Sequence, residues 1–299
     1  YRADGAGKGQ LLNAKPITAT TDFLDRTAPA GGGSRYNVVP AGKVTSKVPS
    51  TAVAGPATDL PYIAIKLDGD YKAQTVGVGD LDGDGRMDYV IKQPDTQIWG
   101  FLYTWYRSPG TFKLEAYNAN GKFLWRHSMG WGIELGVWFS SYVVHDLDGD
   151  GCADVAYKGT DADPRDADGV VNEGKEYVVV LNGRTGKEIS RAEFPNRDGF
   201  GSAGRPGDVA ARNQLAIAYL DGKTPCVISE RGTYGLQKVM AYQLKSGKLE
   251  ILWRWDNAES ERKFYGQGAH TLHAADVDGD GRDEVILGSS VLDDTGAPL

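Results

Sequence analysis

Short apolar runs recur along the chain, and each is bounded by a segment rich in glycine or aspartate. The clearest are YVIKQ, VAYKG and EVILG, each of which directly follows an acidic loop or overlaps its end. Elsewhere paired runs flank polar turns that contain glycine, as in EAYNANGKFLW, VVVLNGRTGKEI and AYQLKSGKLEILW. Such short strands with regular turns, and no convincing 3.6-residue period, predict an all-β fold.

The acidic loops mark an internal repeat. The apolar residue inside each loop is Leu81, Leu147 or Val277, and the second gap is close to twice the first. A degenerate copy lies between them, AYLDGKTPCVISE, which keeps Asp221 and Gly222 but has lost the other acids. Each repeat continues with a β-branched strand and a hairpin. We therefore predict a β-propeller with four-stranded blades.

Two regions differ in composition. Residues 1–58 are rich in Gly, Pro, Ser, Thr and Ala, and are predicted to be a linker or the remnant of a β-sandwich domain. Residues 59–299 are predicted to form the propeller, with about three and a half blades. The last repeat ends at VLDDTGAPL, before a return strand, so we expect an incomplete propeller.

The three acidic loops read DLDGDGRMD, DLDGDGCAD and DVDGDGRDE. Calcium prefers six to eight oxygen ligands, and acids at positions 1, 3, 5 and 9, with the carbonyl of position 7, supply most of them. Position 12 is apolar or aromatic and lies in a strand, which excludes an EF-hand. An isolated Asp-Gly turn is explained equally well as a hairpin turn, but three copies in one register favour Ca²⁺. The predicted ligands are Asp80, Asp82, Asp84, Arg86, Asp88, Asp146, Asp148, Asp150, Cys152, Asp154, Asp276, Asp278, Asp280, Arg282 and Glu284.

The formal charge of −7 is concentrated in these loops. They hold 13 of the 40 acidic residues and 2 of the 33 basic ones, which leaves the rest of the chain at +4. That balance is compatible with an anionic polysaccharide partner and gives no indication of nucleic acid. Glycine is abundant, but 40% hydrophobic residues argue against disorder. No apolar stretch approaches the roughly 18 residues of a membrane span.

Two further expectations concern the environment of the protein. Calcium loops of this kind suit millimolar external calcium, so we expect a secreted or periplasmic protein, and we expect a monomer. Cys152 and Cys226 lie one repeat apart, and equivalent positions of adjacent blades are not automatically within disulfide distance. We therefore predict two free or buried thiols.

From about Ala73 to the end, the ordered motifs resemble the rhamnogalacturonan lyase family of calcium-rich, eight-bladed propellers. The motifs are the DxDGDG loops, the GxxLW hairpin, SERGTYG, and GQGAHTL just before the last loop. The resemblance covers roughly three quarters of this chain and about half of such a propeller. It implies β-elimination of a polysaccharide that contains rhamnose and uronic acid, with Ca²⁺.

A lyase must acidify the proton at C5 of the uronate, remove it, and assist departure of the oxygen at C4. The candidate base is His270, which matches the family's histidine in GQGAHTL. Arg231 is a candidate clamp for the carboxylate, and Tyr234 a candidate proton donor to the leaving oxygen. The alternative is that all three are structural: His270 a turn-stabilising residue, Arg231 and Tyr234 contacts between blades. We expect His145 and His273 to be structural, and His127 carries no motif.

Substrate contacts are predicted at three further residues. Lys158 follows the strand after the second loop, Trp105 belongs to the aromatic cluster IWGFLYTWYR, and Trp138 stands in GVWFSSY where the family has a histidine. Aromatic residues also pack propeller blades, so a structural role remains open for them. The acidic segment TDADPRDADG is predicted either to hold a further ion or to form a solvated turn.

Departures from the family pattern leave other functions open. Ala269 replaces an asparagine, and GDVAARNQ lacks the family's Gly-Asn-Arg run. A lyase for ulvan or another rhamnose and uronate polymer fits as well as one for pectin. A non-catalytic propeller that binds glycans or proteins is the competing class. A glycoside hydrolase would need two carboxylates beside the scissile bond, and no clear pair occurs outside the loops.

Overall fold

The computed structural model describes residues 1–4, 9–15, 25, 27, 34–38, 50–53, 64–95, 110–132, 140–167, 171, 173–200, 210–258 and 263–299. Within these residues the chain forms strands and turns and no helix, as the all-β prediction requires. Eighteen strands are arranged in five antiparallel sheets. No helix in this described part has the length and apolar character needed to cross a membrane.

A small sheet is formed by the first three strands. These are β1 (Arg2–Asp4), β2 (Ser34–Val38) and β3 (Ser50–Val53), in the order β1-β2-β3. The Arg2 guanidinium donates to Asp25 at 2.8 Å and to Thr27 at 3.0 Å, which ties the following segment to this sheet. Part of the region 1–58 is therefore β structure. The predicted boundary at residue 58 lies outside the described residues.

Four larger sheets follow in chain order, and consecutive strands pair in each. The first contains β4 (Thr75–Gly79), β5 (Asp88–Gln93), β6 (Lys113–Tyr117) and β7 (Phe123–Ser128). The second contains β8 (Tyr142–His145), β9 (Asp154–Thr160), β10 (Glu176–Leu181) and β11 (Glu188–Glu193). The third contains β12 (Asn213–Ala218), β13 (Cys226–Gly232), β14 (Gln237–Lys245) and β15 (Lys248–Asp256). The fourth has three strands, β16 (Leu272–Ala275), β17 (Glu284–Leu287) and β18 (Ser290–Leu292).

The repeat read from the sequence matches these four sheets. In the first, second and fourth sheets a DxDGDG loop joins the first strand to the second, and residues 219–225 make the same connection in the third. The first strands β4, β8, β12 and β16 lie beside one another in that order. The sheets are therefore packed in series, and each loop occupies the same place in its sheet.

Apolar side chains fill the space between successive sheets. Leu114 of the first sheet packs with Val155 and Val179 of the second, and similar clusters join the second sheet to the third and the third to the fourth. Inner sheets thus bury both faces. This explains why their central strands have nearly continuous apolar runs rather than strict alternation.

The GxxLW motif forms a contact between neighbouring sheets. Trp125 of β7 donates its indole N–H to the Gly183 carbonyl at 2.6 Å, and its ring lies on Gly186 in the hairpin turn of the second sheet. Trp253 of β15 repeats this contact in the fourth sheet, donating to the Asp294 carbonyl at 2.8 Å and lying on Gly296. The turn must present a glycine because any Cβ would meet the ring.

Both cysteines are free and buried, as predicted. Arg184 donates to the Cys152 sulfur at 2.6 Å. Burial raises the pKa of the Cys152 thiol, and raises that of Cys226 to about 11. Both side chains are therefore packed as neutral thiols.

A glycine substitution tests the Trp125 contact. In Gly186→Ala the new Cβ would lie 2.6 Å from the Trp125 ring, in a turn with φ +65°. We expect a loss of about 2–4 kcal/mol of unfolding free energy, because left-handed strain and overpacking add. Gly247→Ala is the matched control, since Gly247 has φ +77° in the hairpin turn of the third sheet with no atom within 4 Å. Chemical denaturation should show the larger loss for Gly186→Ala, and equal losses would contradict the contact.

Candidate functional site

Candidate residues lie at two opposite ends of the sheets. In the fourth sheet His270 lies two residues before β16, and Asp276 follows β16 directly. Six residues of extended chain span about 20 Å. The carboxylate of Asp276 is therefore too far from His270 for both to contact one sugar unit.

The three acidic loops adopt one geometry. In the first, Asp80 accepts the amides of Gly83 at 2.7 Å and Gly85 at 2.8 Å. The matching distances are 2.8 and 3.0 Å for Asp146, and 2.7 and 3.0 Å for Asp276. Gly83 and Gly85 have φ of +78° and +82°, which explains why this turn requires glycine at both places.

The acid at position 9 closes each loop from inside the protein. Asp88, Asp154 and Glu284 are at most 3% exposed. Each accepts the amide of the apolar residue at position 2, at 2.9, 3.4 and 2.8 Å respectively. The marker residues Leu81, Leu147 and Val277 are thus held by the buried acid of their own loop.

Three of the four predicted side-chain ligands come together in each loop. The acids at positions 1, 3 and 9 offer oxygens that lie within 4.8 Å of one another. The groups are Asp80, Asp82 and Asp88; Asp146, Asp148 and Asp154; and Asp276, Asp278 and Glu284. Such a group of carboxylates can hold a metal ion.

Positions 5 and 7 lie outside this carboxylate group. The acid at position 5 accepts the amide of position 7 at 2.8 Å in every loop, and it is not part of the carboxylate group. Those acids are Asp84, Asp150 and Asp280. The side chains at position 7 point to other partners: Arg86 donates to Asn120, and Arg282 pairs with Asp294 at 2.7 Å. The grouped carboxylates are thus those of positions 1, 3 and 9, and ligation by position 5 and by the carbonyl of position 7 stays a prediction.

Crowding of these acids has an electrostatic cost. Burial, and then repulsion by Asp148, Asp150 and Asp146, raises the pKa of Asp154 to about 7. Burial likewise raises the pKa of Asp88. A hard divalent cation among the oxygens would stabilise the ionised carboxylates, so the donor set fits such an ion.

The degenerate loop contains one acid, and hydrogen bonds from the loop stabilise it. Asp221 accepts the amides of Lys223 at 2.9 Å and Thr224 at 2.6 Å, and the Thr224 hydroxyl at 2.8 Å. These three donors stabilise a single carboxylate, and its pKa is lowered mainly by the Thr224 amide. The loop therefore keeps its shape with hydrogen-bond donors instead of a cation.

In the segment TDADPRDADG, two acids are paired with arginine. Asp161 pairs with Arg191, and Asp163 with Arg165 at 2.6 Å. Asp168 lies outside the described residues. The described acids of this segment form no carboxylate group like those of the loops. Ion pairing accounts for Asp161 and Asp163, and the described part of this segment contains no such group.

At the opposite end, Tyr234 and His270 meet. Tyr234 lies in the turn between β13 and β14 with φ +57°, and its side chain is 55% exposed. Its hydroxyl contacts His270 Nε2, and the rings are edge to face at 4.9 Å. Thr233 donates to the Ala269 carbonyl at 2.8 Å, which fastens the two turns together. Two of the three predicted catalytic side chains are thus adjacent.

Arg212 is the third member of this cluster and was missed by the sequence reasoning. Its Nη1 lies 3.2 Å from His270 Nε2, and its guanidinium lies 5.8 Å from the Tyr234 ring centroid. The signal was available in GDVAARNQ, where Arg212 directly precedes β12 at the same end as the Tyr234 turn. GDVAARNQ stood out only because it lacks the family's Gly-Asn-Arg run, so Arg212 was not predicted.

The protonation state of His270 follows from its neighbours. A guanidinium can only donate, so Nε2 of His270 must be unprotonated and accept from Arg212. Burial, and then the positive charge of Arg212, lowers the pKa of His270 below its ordinary 6.5. The imidazole is neutral at neutral pH with its basic nitrogen facing a cation and an exposed phenol. Such a group can accept a proton.

Arg231 and Lys158 occupy a different environment from the one predicted. Both side chains are fully buried and contact the Glu176 carboxylate, Lys158 at 2.8 Å. Arg231 also donates to the Pro195 carbonyl at 2.6 Å and to that of Ala210. Arg231 thus joins the third sheet to the second, Lys158 pairs with Glu176 within the second sheet, and both side chains are directed to this carboxylate inside the protein. Buried cations need an opposite charge nearby, and Glu176 provides it for both side chains.

Glu176 remains ionised in spite of its burial. Desolvation alone would raise its pKa, but Lys158, Arg231 and Arg197 together hold it well below its ordinary value. Of the three cations around this carboxylate, Arg231 makes the contact with the third sheet.

The remaining predicted residues have separate places. Trp105 and Trp138 lie outside the described residues. His127 contacts the Tyr157 hydroxyl at 2.7 Å, and His145 contacts that of Tyr219 at 2.8 Å. Both contacts join neighbouring sheets, in agreement with the structural role expected of His145. His273 lies in β16.

Comparison with known proteins gives this arrangement a family. Residues 63–299 match the model described as rhamnogalacturonan lyase family 11, C-terminal domain. The chain belongs to this lyase family. The match covers the four larger sheets and both groups of candidate residues, and it confirms the resemblance read from the motifs.

Relatives of this lyase family are similar over nearly the whole chain. Rhamnogalacturonan endolyase YesW of Bacillus subtilis (strain 168) is 37% identical, over 96% of this chain and 50% of its own length. Rhamnogalacturonan exolyase YesX of the same organism is 31% identical, over 97% and 51%. The chain therefore spans about half the length of the curated relatives it matches.

Solved structures agree with the fold. The crystal structure of YesW has a TM-score of 0.73 at 35% identity, covering 96% of this chain and 53% of that one. The rhamnogalacturonan lyase PL11 of Bacillus licheniformis has a TM-score of 0.74 at 32% identity, covering 100% and 54%. The four antiparallel sheets are thus arranged as in this family.

Metal removal tests the acidic loops. At about 100 times its dissociation constant, each bound ion adds about 2.7 kcal/mol to unfolding free energy. We expect Ca²⁺ to raise the melting temperature and a chelator to reverse the gain. Asp148→Asn should lose part of the gain, because it removes one of three grouped carboxylates.

Asp221→Asn is the matched control for this measurement. It weakens the degenerate loop, which has no such group, and should keep the full response to Ca²⁺. A wild-type melting temperature that does not respond to any divalent ion would contradict the site. An Asp221→Asn variant that loses as much of the response as Asp148→Asn would do the same.

Proposed function

We propose that this chain is part of a rhamnogalacturonan lyase, which cleaves its polysaccharide by β-elimination and uses Ca²⁺. Support comes from membership of the lyase family and from relatives named rhamnogalacturonan endolyase and exolyase. The observation that carries the catalytic part is the contact of His270 Nε2 with both Arg212 and Tyr234. It joins a base, a cation and a phenol at one place, where the Tyr234 side chain is exposed and Arg212 is 9% exposed.

Each group matches one requirement of the elimination. Arg212 binds the uronate carboxylate and stabilises the charge that develops there when the C5 proton becomes acidic. His270 takes this proton, and the electron pair of the broken C–H bond forms the C4–C5 double bond. The C4–O bond breaks, and the Tyr234 hydroxyl gives its proton to the leaving oxygen. Arg231, predicted as the clamp, is replaced in this role by Arg212.

Ca²⁺ in this proposal is a structural ion. The grouped acids of positions 1, 3 and 9 would hold it, with further oxygens from the loop backbone. Bound there, the ion supplies positive charge that stabilises each loop. The distance of about 20 Å from Asp276 to His270 excludes a direct contact between these loops and the reacting sugar.

The proposed architecture is a propeller. Support comes from the four sheets packed in series with their first strands adjacent. We assign residues 59–299 to the propeller and residues 1–58 to a separate β segment. A secreted or periplasmic location and a monomeric state belong to the same proposal, since millimolar calcium outside the cytoplasm would fill the loops.

A second candidate is a propeller that binds the glycan without cleaving it. The observation in its favour is that His127 and His145 make the same kind of contact with tyrosine between other sheets. By that reading the contact of His270 with Tyr234 is a third structural pair. The His270–Tyr234 contact differs from the His127–Tyr157 contact in exposure, because Tyr234 is 55% exposed whereas Tyr157 is buried.

Ultraviolet absorbance of the products decides between a lyase and a propeller that only binds the glycan. Elimination creates an unsaturated uronate, so absorbance should rise on rhamnogalacturonan with wild-type protein. His270→Ala should lower kcat/KM by about 10²–10⁴-fold, the usual contribution of a positioned base. His127→Ala is the matched control: it also removes a histidine–tyrosine contact between sheets and should keep the rate.

One outcome would contradict the lyase activity, and two others would contradict the roles proposed for His270 and for Ca²⁺. One is no rise on any uronic polymer while calorimetry detects glycan binding, which favours the binding propeller. Another is equal loss of rate in His127→Ala and His270→Ala, which makes the His270 contact structural. A third is a chelator effect on rate at temperatures where the protein remains folded, which would contradict the structural role of Ca²⁺.

A further inference from the structure

Glu230 is a buried carboxyl group that the proposed chemistry does not use. It lies in β13 and is fully buried. Its hydrogen-bond partners are two amides: Gln237 Nε2 donates to Oε1 at 2.5 Å, and Gln214 Nε2 to Oε2 at 3.3 Å. Both partners are neutral. Glu230 therefore differs from Glu176, which three cations surround.

The surroundings of Glu230 disfavour its charge. Burial raises its pKa to about 8, against a smaller opposing effect of the Gln237 hydrogen bond. Charged partners are engaged elsewhere: Lys238 with Asp256 at 3.1 Å, and Arg231 with Glu176. The other titratable side chains on the elements around it are Arg212, Tyr242, Lys245, Lys263, Tyr265, His270, His273 and Glu284. None of these lowers the pKa of Glu230 appreciably.

The side-chain amide of Gln237, which is hydrogen-bonded to Glu230, is unusual as well. Gln237 is fully buried, and its Oε1 has no hydrogen-bond partner among the described residues. A proton on Glu230 accounts for its burial beside neutral partners. If the amide is turned by 180°, which exchanges two groups of similar shape, the Glu230 hydroxyl donates to Gln237 Oε1, and Gln237 Nε2 takes the position that Oε1 had.

The Gln237 amide supports the turn that carries His270. A Cβ at Gly268 would lie 2.5 Å from the Gln237 side chain, so the backbone of the turn lies directly on the amide. The backbone amide of Gln237 donates to Asn257 Oδ1 at 3.0 Å, which fixes its position from the other side. Any displacement of the Gln237 side chain therefore reaches the turn two residues before His270.

We propose that Glu230, held as a neutral acid, is a positioning residue that keeps His270 in place through the Gln237 amide and the turn at Gly268. The proposal concerns the position of the imidazole, and it gains a role in turnover only if the proposed function is correct. Above about pH 8 the acid ionises. The Glu230 carboxylate can no longer donate to Gln237, and a buried charge without a cation forces the pair to rearrange.

The sign of the stability effect follows from the raised pKa. The folded value of about 8 lies above the ordinary 4.5, so the contribution of Glu230 to stability is complete below pH 4.5. It is lost as the pH rises towards 8. Glu230→Gln, which is neutral at every pH, should remove this loss.

The test is a histidine titration by NMR on the folded chain, which has only four histidines. In wild type the His270 signal should show a second inflection at about pH 8, when Glu230 ionises. Glu230→Gln should keep the pKa of His270 and lose that inflection. Glu230→Leu should raise the pKa of His270 towards 6.5, because the ring moves away from Arg212.

Glu250→Gln is the control, since Glu250 is an exposed carboxyl in β15 and should leave His270 unchanged. The proposal is wrong if Glu230→Gln and Glu230→Leu alter His270 alike, or if neither does. Should a variant fail to fold, the wild-type carboxyl signal of Glu230 decides: ionisation below pH 6 contradicts the neutral acid. Since no step needs turnover, a missing lyase activity would overturn the proposed function and leave this result standing.

Discussion

Burial of carboxylates at the boundaries between sheets is the constraint on which this structure depends. A buried carboxylate is strongly unfavourable unless donors, a cation or a proton stabilise it. Asp88, Asp154 and Glu284 receive backbone amides and lie in groups that fit a divalent cation. Glu176 receives three cationic side chains. Glu230 is stabilised by a proton in our proposal.

The stabilised carboxylates of the loops and the candidate catalytic residues lie in different parts of the sheets, and the proposed function depends on that separation. The cation-binding loops connect first and second strands at one end. His270, Tyr234 and Arg212 meet at the other end, where the turns that follow second strands face the next sheet. Stability and the proposed chemistry can thus be altered independently. The sheets between the two ends connect these turns to the loops.

Local patterns explain what could be predicted from the sequence. Acids at alternate positions with glycines that need positive φ determine the loops by themselves, so their place in each sheet followed from the repeat. The GxxLW motif was recognised, but its contact with Gly186 or Gly296 joins distant residues and has no local signal. Tyr234 and His270 were found because glycine-rich turns present them.

The roles of some residues could not be predicted from the sequence, because they depend on the surroundings of the side chain rather than on the residue type. Arg231 and Lys158 have the chemistry of a substrate clamp, and only the sheet packing reveals Glu176 as their partner. Arg212 has the same chemistry and lies beside His270. Glu230 carries no motif at all. In each case burial and the nearest opposite charge determine the role, and both arise from residues far apart in the chain.

The most direct test of the central claim is amide chemical-shift mapping with two probes on the same protein. Ca²⁺ alone should shift the amides of the loops 80–88, 146–154 and 276–284. A rhamnogalacturonan oligosaccharide added to the calcium-loaded protein should shift those of Arg212, Tyr234 and His270 and leave the loops unchanged. Oligosaccharide shifts centred on the loops would contradict the separation of the two ends.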